Sequence, residues 1–132
     1  MRDVALALKS RGVQPSAQRV AVGRYVLSTH DHPTADDVFE RVRKSFPMIS
    51  RATVYNTLNL FVEKKLLREL HLSPEAVVFD PNMDKHHHLI DEQSGRIVDV
   101  DWNDVEVRKI DTVKNYEIHD YQVVMHGRRK HH

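Results

Sequence analysis

Cysteine is absent from all 132 residues, which removes disulfides, a cysteine nucleophile and every thiolate metal site from consideration. Any metal must then be held by nitrogen and oxygen. Long apolar runs are missing as well: no stretch approaches bilayer length, and "MRDVALALKSRG" (1–12) lacks a signal peptide's extended apolar core and cleavage site. A cytoplasmic chain with no membrane partner is the expectation. Nor is there a large excess of one charge, since 20 Lys and Arg face 19 Asp and Glu, a net of +1. With 30% charged and 40% hydrophobic residues the chain should fold. Its length suits one compact domain or two very small ones.

The near-zero net charge hides a division. The first 72 residues carry 12 Lys and Arg against 7 Asp and Glu, or +5; the remaining 60 carry 8 against 12, or −4. Three histidines precede that cut and seven follow it. A basic half suits a polyanion, and an acidic, histidine-rich half suits a cation.

Periodicity predicts a run of helices in the basic half. "DVALALKSRG" reads as a short helix stopped by Gly12. "SAQRVAVGRYVLS" spaces Ala17, Val20, Ala21 and Leu27 for one helix face. "TADD" from Thr34 matches a capping box and opens a helix through Val38, Phe39 and Val42. Ser50 caps "SRATVYNTLNLFVEKK", with Val54, Leu58, Phe61 and Val62 as a core stripe and Arg51, Thr53, Tyr55, Asn56 and Asn59 opposite. "LLRELHL" and "AVVFD" are short strands joined by a turn at "SPE". Helices followed by a hairpin give the order of a winged helix-turn-helix, whose last helix enters the major groove of double-stranded DNA. Arg51 suits guanine or phosphate, Asn56 adenine, and Tyr55 phosphate or a thymine methyl. The bland alternative puts Tyr55 in the core and leaves Arg51 a solvated surface charge.

Beyond Asp80 the texture changes to a small α/β unit. "HHHLI" and "RIVDV" should pair as a hairpin across "DEQSG". "DWNDVEVRKIDTVKN" (101–115) reads as a helix and "YEIHDYQVVMHG" (116–127) as a strand. So few strands leave open edges, which predicts a homodimer formed through this half. The expected fold class is therefore α+β, with a DNA-binding domain over 1–80 and a metal-binding dimerisation domain over 81–132.

On a strand, alternate side chains share a face, so His86 and His88 project together while His87 points away. Candidate partners for His86 and His88 are Asp80 just before, Asp99 across the hairpin, and His32 in "HDHP". His87 would be joined by Glu106 and His119 in a second site. Neutral imidazoles with carboxylates suit divalent iron, manganese, zinc, cobalt or nickel. The alternative is an accidental surface pair of histidines. The terminal His131 and His132 are assigned no role.

The segments "PSAQR" (15–19), "HPTADDVFERV" (32–42), "SRATVYNTLNLF" (50–61), "FDPNMDKHHHLID" (79–91) and "GRIVDV" (95–100) resemble, in order, those of the ferric uptake regulator family. The resemblance implies metal-dependent dimeric repressors that bind a palindromic operator, with no enzymatic activity. It implies a regulatory site on His32, Asp80, His86, His88 and Asp99, and a second site on His87, Glu106 and His119. It adds Arg19 and Ser50 to Arg51, Thr53, Tyr55 and Asn56 as DNA-binding positions. Two C-x-x-C pairs hold a structural zinc in most relatives; here Asp91 and Ser94 occupy the first, and "MHGRRK" supplies no second. A cysteine-bound structural zinc is excluded, and the fourth ligand of the second site would fall on Lys85.

Asp99 is the carboxylate of the peroxide-sensing members, where iron-sensing members more often carry glutamate. The resemblance to that branch implies Fe(II)-catalysed oxidation of a histidine ligand, His32 or His86, with Mn(II) as the protective alternative and Zn(II) a further candidate. Iron-responsive and haem-responsive regulators remain alternative readings. A non-haem metal enzyme built on two histidines and a carboxylate is the competing class.

Overall fold

A computed structural model describes residues 3–73 and 76–131, and the chain divides into two compact units, 1–83 and 84–132. The turn expected at Pro74–Glu75, and His132, lie outside the described residues.

The first unit contains four helices and a hairpin: α1 (Val4–Ser10), α2 (Ala17–Val26), α3 (Ala35–Val42), α4 (Arg51–Glu63), β1 (Arg68–Ser73) and β2 (Ala76–Asp80). Every helix starts at a side-chain cap. Asp3, Ser16 and Ser50 each accept a backbone N–H three residues on, at 3.1, 3.1 and 3.0 Å. Thr34 and Asp37 exchange side-chain and backbone bonds in a complete capping box. Gly12 follows α1 with φ +75°, the left-handed geometry that stops a helix.

The core of this unit is a continuous cluster that includes Leu8, Val22, Val26, Val38, Leu58 and Phe61, each at most 1% exposed. On α4 the expected stripe is observed at Val54, Leu58 and Phe61, with Val62 partly buried. On α2 the buried face agrees with the expected one in part: Leu27 is inside and Val20 and Ala21 pack partly covered against the core, but Val22, Gly23 and Val26 are the buried residues within the helix and Ala17 is exposed. The reason lies at Gly23, where a Cβ would meet Val4 at 2.7 Å. The missing side chain lets α1 come close and sets which way α2 faces. β1 and β2 pair antiparallel, completing the winged helix-turn-helix order.

The second unit is a three-stranded mixed sheet in the order β4-β3-β5. β3 (His86–Asp91) is central, antiparallel to β4 (Ile97–Asp101) and parallel to β5 (Val124–Gly127). The helix expected over 101–115 is not formed; two short 3-10 turns, Trp102–Asp104 and Ile110–Thr112, stand there instead. Asp101 makes no side-chain cap and remains extended in register with His86, and Lys109 and Asn115 have positive φ, which interrupts any helix. The last strand is shorter than expected, covering 124–127 only. Among the described residues of this unit, the buried side chains are His86, His87 and His88. Imidazoles fill the place an aliphatic core would take.

The β3–β4 turn is held by hydrogen bonds where the family pattern has a C-x-x-C pair. Asp91 accepts the backbone N–H groups of Gln93 (2.9 Å) and Ser94 (3.4 Å), and Ser94 Oγ accepts from Arg96 N–H (3.2 Å). The Gln93 N–H, more than any other cause, holds the Asp91 carboxyl below the usual range.

Candidate metal centre and nucleic-acid interface

In the first unit, His32 and Asp80 form a buried pair. Phe79 N–H donates to Pro33 O at 2.9 Å, which fastens the end of β2 to the loop before α3. That fastening sets Asp80 Oδ2 3.3 Å from His32 Nε2, with both side chains at most 3% exposed. Asp80 Oδ1 accepts Asn82 N–H at 2.9 Å. His32 has φ +51°, uncommon for a residue with a Cβ and doubly so before proline. Such a conformation costs about 1–3 kcal/mol and persists where a site requires it.

The ring nitrogens determine what this pair can do. His32 Nδ1 lies 3.1 Å from the His30 carbonyl, which can only accept, so Nδ1 carries the ring hydrogen. In the neutral ring Nε2 then presents a lone pair toward a carboxylate oxygen. Two electron-rich atoms facing each other in a dry environment are suited to share a cation, whether a proton or a metal ion.

The second unit repeats the arrangement on β3. Register places His88 opposite Asp99, and Asp99 Oδ1 lies 3.4 Å from His86 Nε2 and 3.5 Å from His88 Nε2. The two rings share a face edge to face, with centroids 4.5 Å apart. His86 Nδ1 donates to Asp84 O (2.6 Å) and His88 Nδ1 to Gln122 Oε1 (2.9 Å). Both Nε2 lone pairs are therefore directed at the carboxylate. Imidazole nitrogen with carboxylate oxygen fits iron, manganese or zinc in the divalent state.

His87 points to the other face and is held in the opposite tautomer. Val123 N–H donates to its Nδ1 at 2.9 Å, so the ring hydrogen sits on Nε2, which has no hydrogen-bond partner among the described residues. Its ring stacks on Trp102, centroids 4.5 Å apart and 13° from parallel, and Lys85 Nζ lies 5.4 Å from the Trp102 centroid. Glu106 is exposed and paired with Arg108 at 3.1 Å, and His119 is exposed. The structure thus does not bring His87, Glu106 and His119 together: among the described residues they form no converging ligand group. Nothing in the primary structure marked Trp102 as the cover of His87 or Gln122 as the partner of His88, because both contacts depend on a chain path rather than a motif.

The residues expected to contact nucleic acid lie on the first unit in two groups. Arg19, Thr53 and Asn56 line one hollow of about 430 Å³, where the Arg19 guanidinium donates to Gln14 O at 3.0 Å. Ser50 and Thr53 are tied into the α4 cap, Ser50 Oγ donating to Thr53 Oγ1 at 2.9 Å. Arg51 and Tyr55 converge instead on Asp36 of α3, with Arg51 Nη1 at 2.5 Å and the Tyr55 hydroxyl donating at 3.0 Å. The hydrogen bond to Asp36 pushes the Tyr55 phenol up and keeps it a donor. Asp36, which sequence reasoning missed, holds with its carboxylate the two groups expected to meet a DNA phosphate. Asp36→Ala is expected to raise affinity for random duplex several-fold and to lower the ratio of operator to random binding. Fluorescence anisotropy with both duplexes at fixed salt measures this; an unchanged ratio would count against a role for Asp36.

A winged helix-turn-helix followed in the chain by a unit that offers histidine and carboxylate ligands defines a class, the metal-responsive DNA-binding regulators. The ferric uptake regulator family model matches residues 10–126, and the chain belongs to that family. It is 35% identical over 130 residues to the peroxide-responsive repressor PerR of Staphylococcus aureus, across 96% of this chain and 87% of that protein. The fold is similar to the Vibrio cholerae ferric uptake regulator (TM-score 0.76, 23% identity, 96% of this chain and 100% of that one). It is also similar to the Pseudomonas aeruginosa ferric uptake regulator with manganese (TM-score 0.73, 22% identity, 98% and 100%). Members of the family are transcriptional regulators that bind DNA operators, typically as dimers. No helix among the described residues is long and apolar enough to cross a membrane.

Proposed function

We propose that this protein is a dimeric, cytoplasmic, metal-dependent repressor of the peroxide-sensing type, acting on a palindromic operator and catalysing no reaction on a substrate of its own. The observation that carries the reading is the shared tautomer of His32, His86 and His88, each with Nδ1 tied to an acceptor and Nε2 facing a carboxylate. His32, Asp80, His86, His88 and Asp99 together would hold one Fe(II) or Mn(II), and Zn(II) fits the same donors. Residues 1–80 supply the DNA-binding domain, through Arg19, Ser50, Arg51, Thr53, Tyr55 and Asn56, and 81–132 the metal-binding and dimerisation domain. Occupancy of ligands drawn from both domains then sets the spacing of two recognition helices, which a palindromic operator reads.

The identity with a peroxide-responsive repressor and the aspartate at position 99 favour peroxide over iron as the signal. Bound Fe(II) would supply the activation of hydrogen peroxide. The net change at a ligand ring is insertion of one peroxide oxygen at a ring carbon, the other oxygen leaving as water. An oxidised His32 or His86 no longer offers the same nitrogen lone pair, and the ligand set fails.

Two measurements test this. Operator affinity should rise when Mn(II) or Fe(II) is added to metal-free protein; equal affinity with and without metal would sink the reading. Mass spectrometry after peroxide should find one added oxygen on the His32 or His86 peptide of the Fe(II) form and none on the Mn(II) form. No added oxygen on either would favour simple iron sensing.

A further inference from the structure

Three histidines face carboxylates through Nε2, and each needs its hydrogen on Nδ1. Free histidine in water favours the opposite tautomer, with the hydrogen on Nε2 and no lone pair there for a metal, so the protein must impose the useful form. His32 and His86 solve this locally: each Nδ1–H reaches the carbonyl two residues upstream, His30 O at 3.1 Å and Asp84 O at 2.6 Å. Both residues stand outside or at the start of a strand, where the backbone can turn back to its own side chain.

His88 lacks that option. It is the third residue of β3, paired with Asp99 on one side and Val124 on the other. In an extended strand the carbonyl two residues upstream lies some 6–7 Å back along the chain and points into the ladder. The acceptor must therefore come from elsewhere, and it is Gln122 Oε1, at 2.9 Å and 34 residues away. The neighbouring residue, Val123, does the converse for His87: its N–H donates to His87 Nδ1 and sends that hydrogen to Nε2. Val123 O also accepts His88 N–H at 3.0 Å, which fixes the depth at which the Gln122 side chain meets the ring.

We infer that Gln122 is a positioning residue that holds His88 in its metal-binding tautomer, and that Gln122 and Val123 together assign opposite roles to adjacent histidines, ligand for His88 and spacer for His87. The inference rests on the reading of His86, His88 and Asp99 as metal ligands, and one arm of its test is independent of that reading. Gln122→Met keeps the length of the side chain and removes the acceptor; Gln122→Glu keeps an acceptor of greater strength.

The test uses the full chain, metal-free and labelled with nitrogen-15, at a pH where imidazole is neutral. Long-range nitrogen–proton correlation should show His88 with hydrogen on Nδ1 in the wild type and in Gln122→Glu. In Gln122→Met it should show a mixture with hydrogen on Nε2, with His87 unchanged. Mn(II) titration of the same samples should give a Kd raised about 10–100-fold in Gln122→Met and no higher than wild type in Gln122→Glu. An unchanged tautomer or an unchanged Kd in Gln122→Met overturns the inference. A wild-type chain that binds no Mn(II) overturns the metal reading instead, and the tautomer measurement still decides the role of Gln122.

Discussion

Asp99→Ala is expected to abolish metal-stimulated operator binding and to weaken Mn(II) binding by more than about 100-fold. Outer partners that merely orient a ligand are worth about 10–100-fold in metal affinity, and Asp99 is proposed as a ligand itself. Its Oδ1 lies within 3.5 Å of both His86 Nε2 and His88 Nε2. Without it, the two lone pairs directed by Asp84 O and Gln122 Oε1 lose the carboxylate oxygen they both face. A divalent ion held by the proposed five ligands loses one of its two carboxylates, and Coulombic attraction is strong where water is scarce. Asp99→Asn separates charge from volume: it keeps the shape and should show most of the loss. Isothermal titration with Mn(II), and anisotropy of an operator duplex with and without the ion, give the two readouts. The fold should persist, since the Asp99 side chain is 27% exposed and lies outside the hydrophobic core. Wild-type Mn(II) affinity in Asp99→Ala would remove Asp99 from the ligand set and with it the peroxide reading that its identity supports.

The parts of this molecule that were legible in the sequence are those specified by short-range chemistry. The box from Thr34 to Asp37 predicts the start of α3 because both bonds lie within four residues. Strand alternation separates His87 from its two neighbours, and the hairpin register follows from the Gly-containing turn that puts Asp99 across from His88. What was not legible depends on the path of the whole chain. The buried face of α2 is decided by α1 arriving at Gly23, a contact no periodicity within α2 encodes. The helix over 101–115 fails although its local pattern is acceptable, because Asp101 is held in the β4 ladder and the Trp102 ring is taken up by His87. Tertiary commitments of this kind outweigh propensities of a few tenths of a kcal/mol per residue. Asp36 and Gln122 belong to the same category: each acts on a residue 15 to 34 positions away.

Phe61→Ala should be the most damaging single change to the DNA-binding unit, lowering its stability by about 3–5 kcal/mol. Phe61 is 0% exposed and belongs with Val54 and Leu58 to the buried stripe of α4, the helix that also carries the exposed Arg51, Tyr55 and Asn56. Its carbonyl also closes the helix end, accepting Leu66 N–H at 2.8 Å and Leu67 N–H at 3.4 Å. Truncation removes the transfer free energy of the ring and leaves a cavity at the point where α4 meets the rest of the core, and close-packed neighbours fill such space only in part. Against a typical total of about 5–15 kcal/mol, that loss is large enough to populate unfolded chains near growth temperature. Operator affinity should fall with it, metal or no metal. His86, His88 and Asp99 lie on β3 and β4 and His32 and Asp80 are untouched by the substitution, so chains that remain folded should keep the proposed Mn(II) ligands. Asp99→Ala and Phe61→Ala are thus expected to eliminate DNA binding by separate routes, one through the metal and one through the recognition helix. Urea denaturation followed by circular dichroism measures the first quantity, and Mn(II) titration of folded protein at low temperature the second. A stability loss under about 1 kcal/mol would mean that the cavity collapses around α4, and that the recognition helix is held by its caps and by Asp36 more than by its core face.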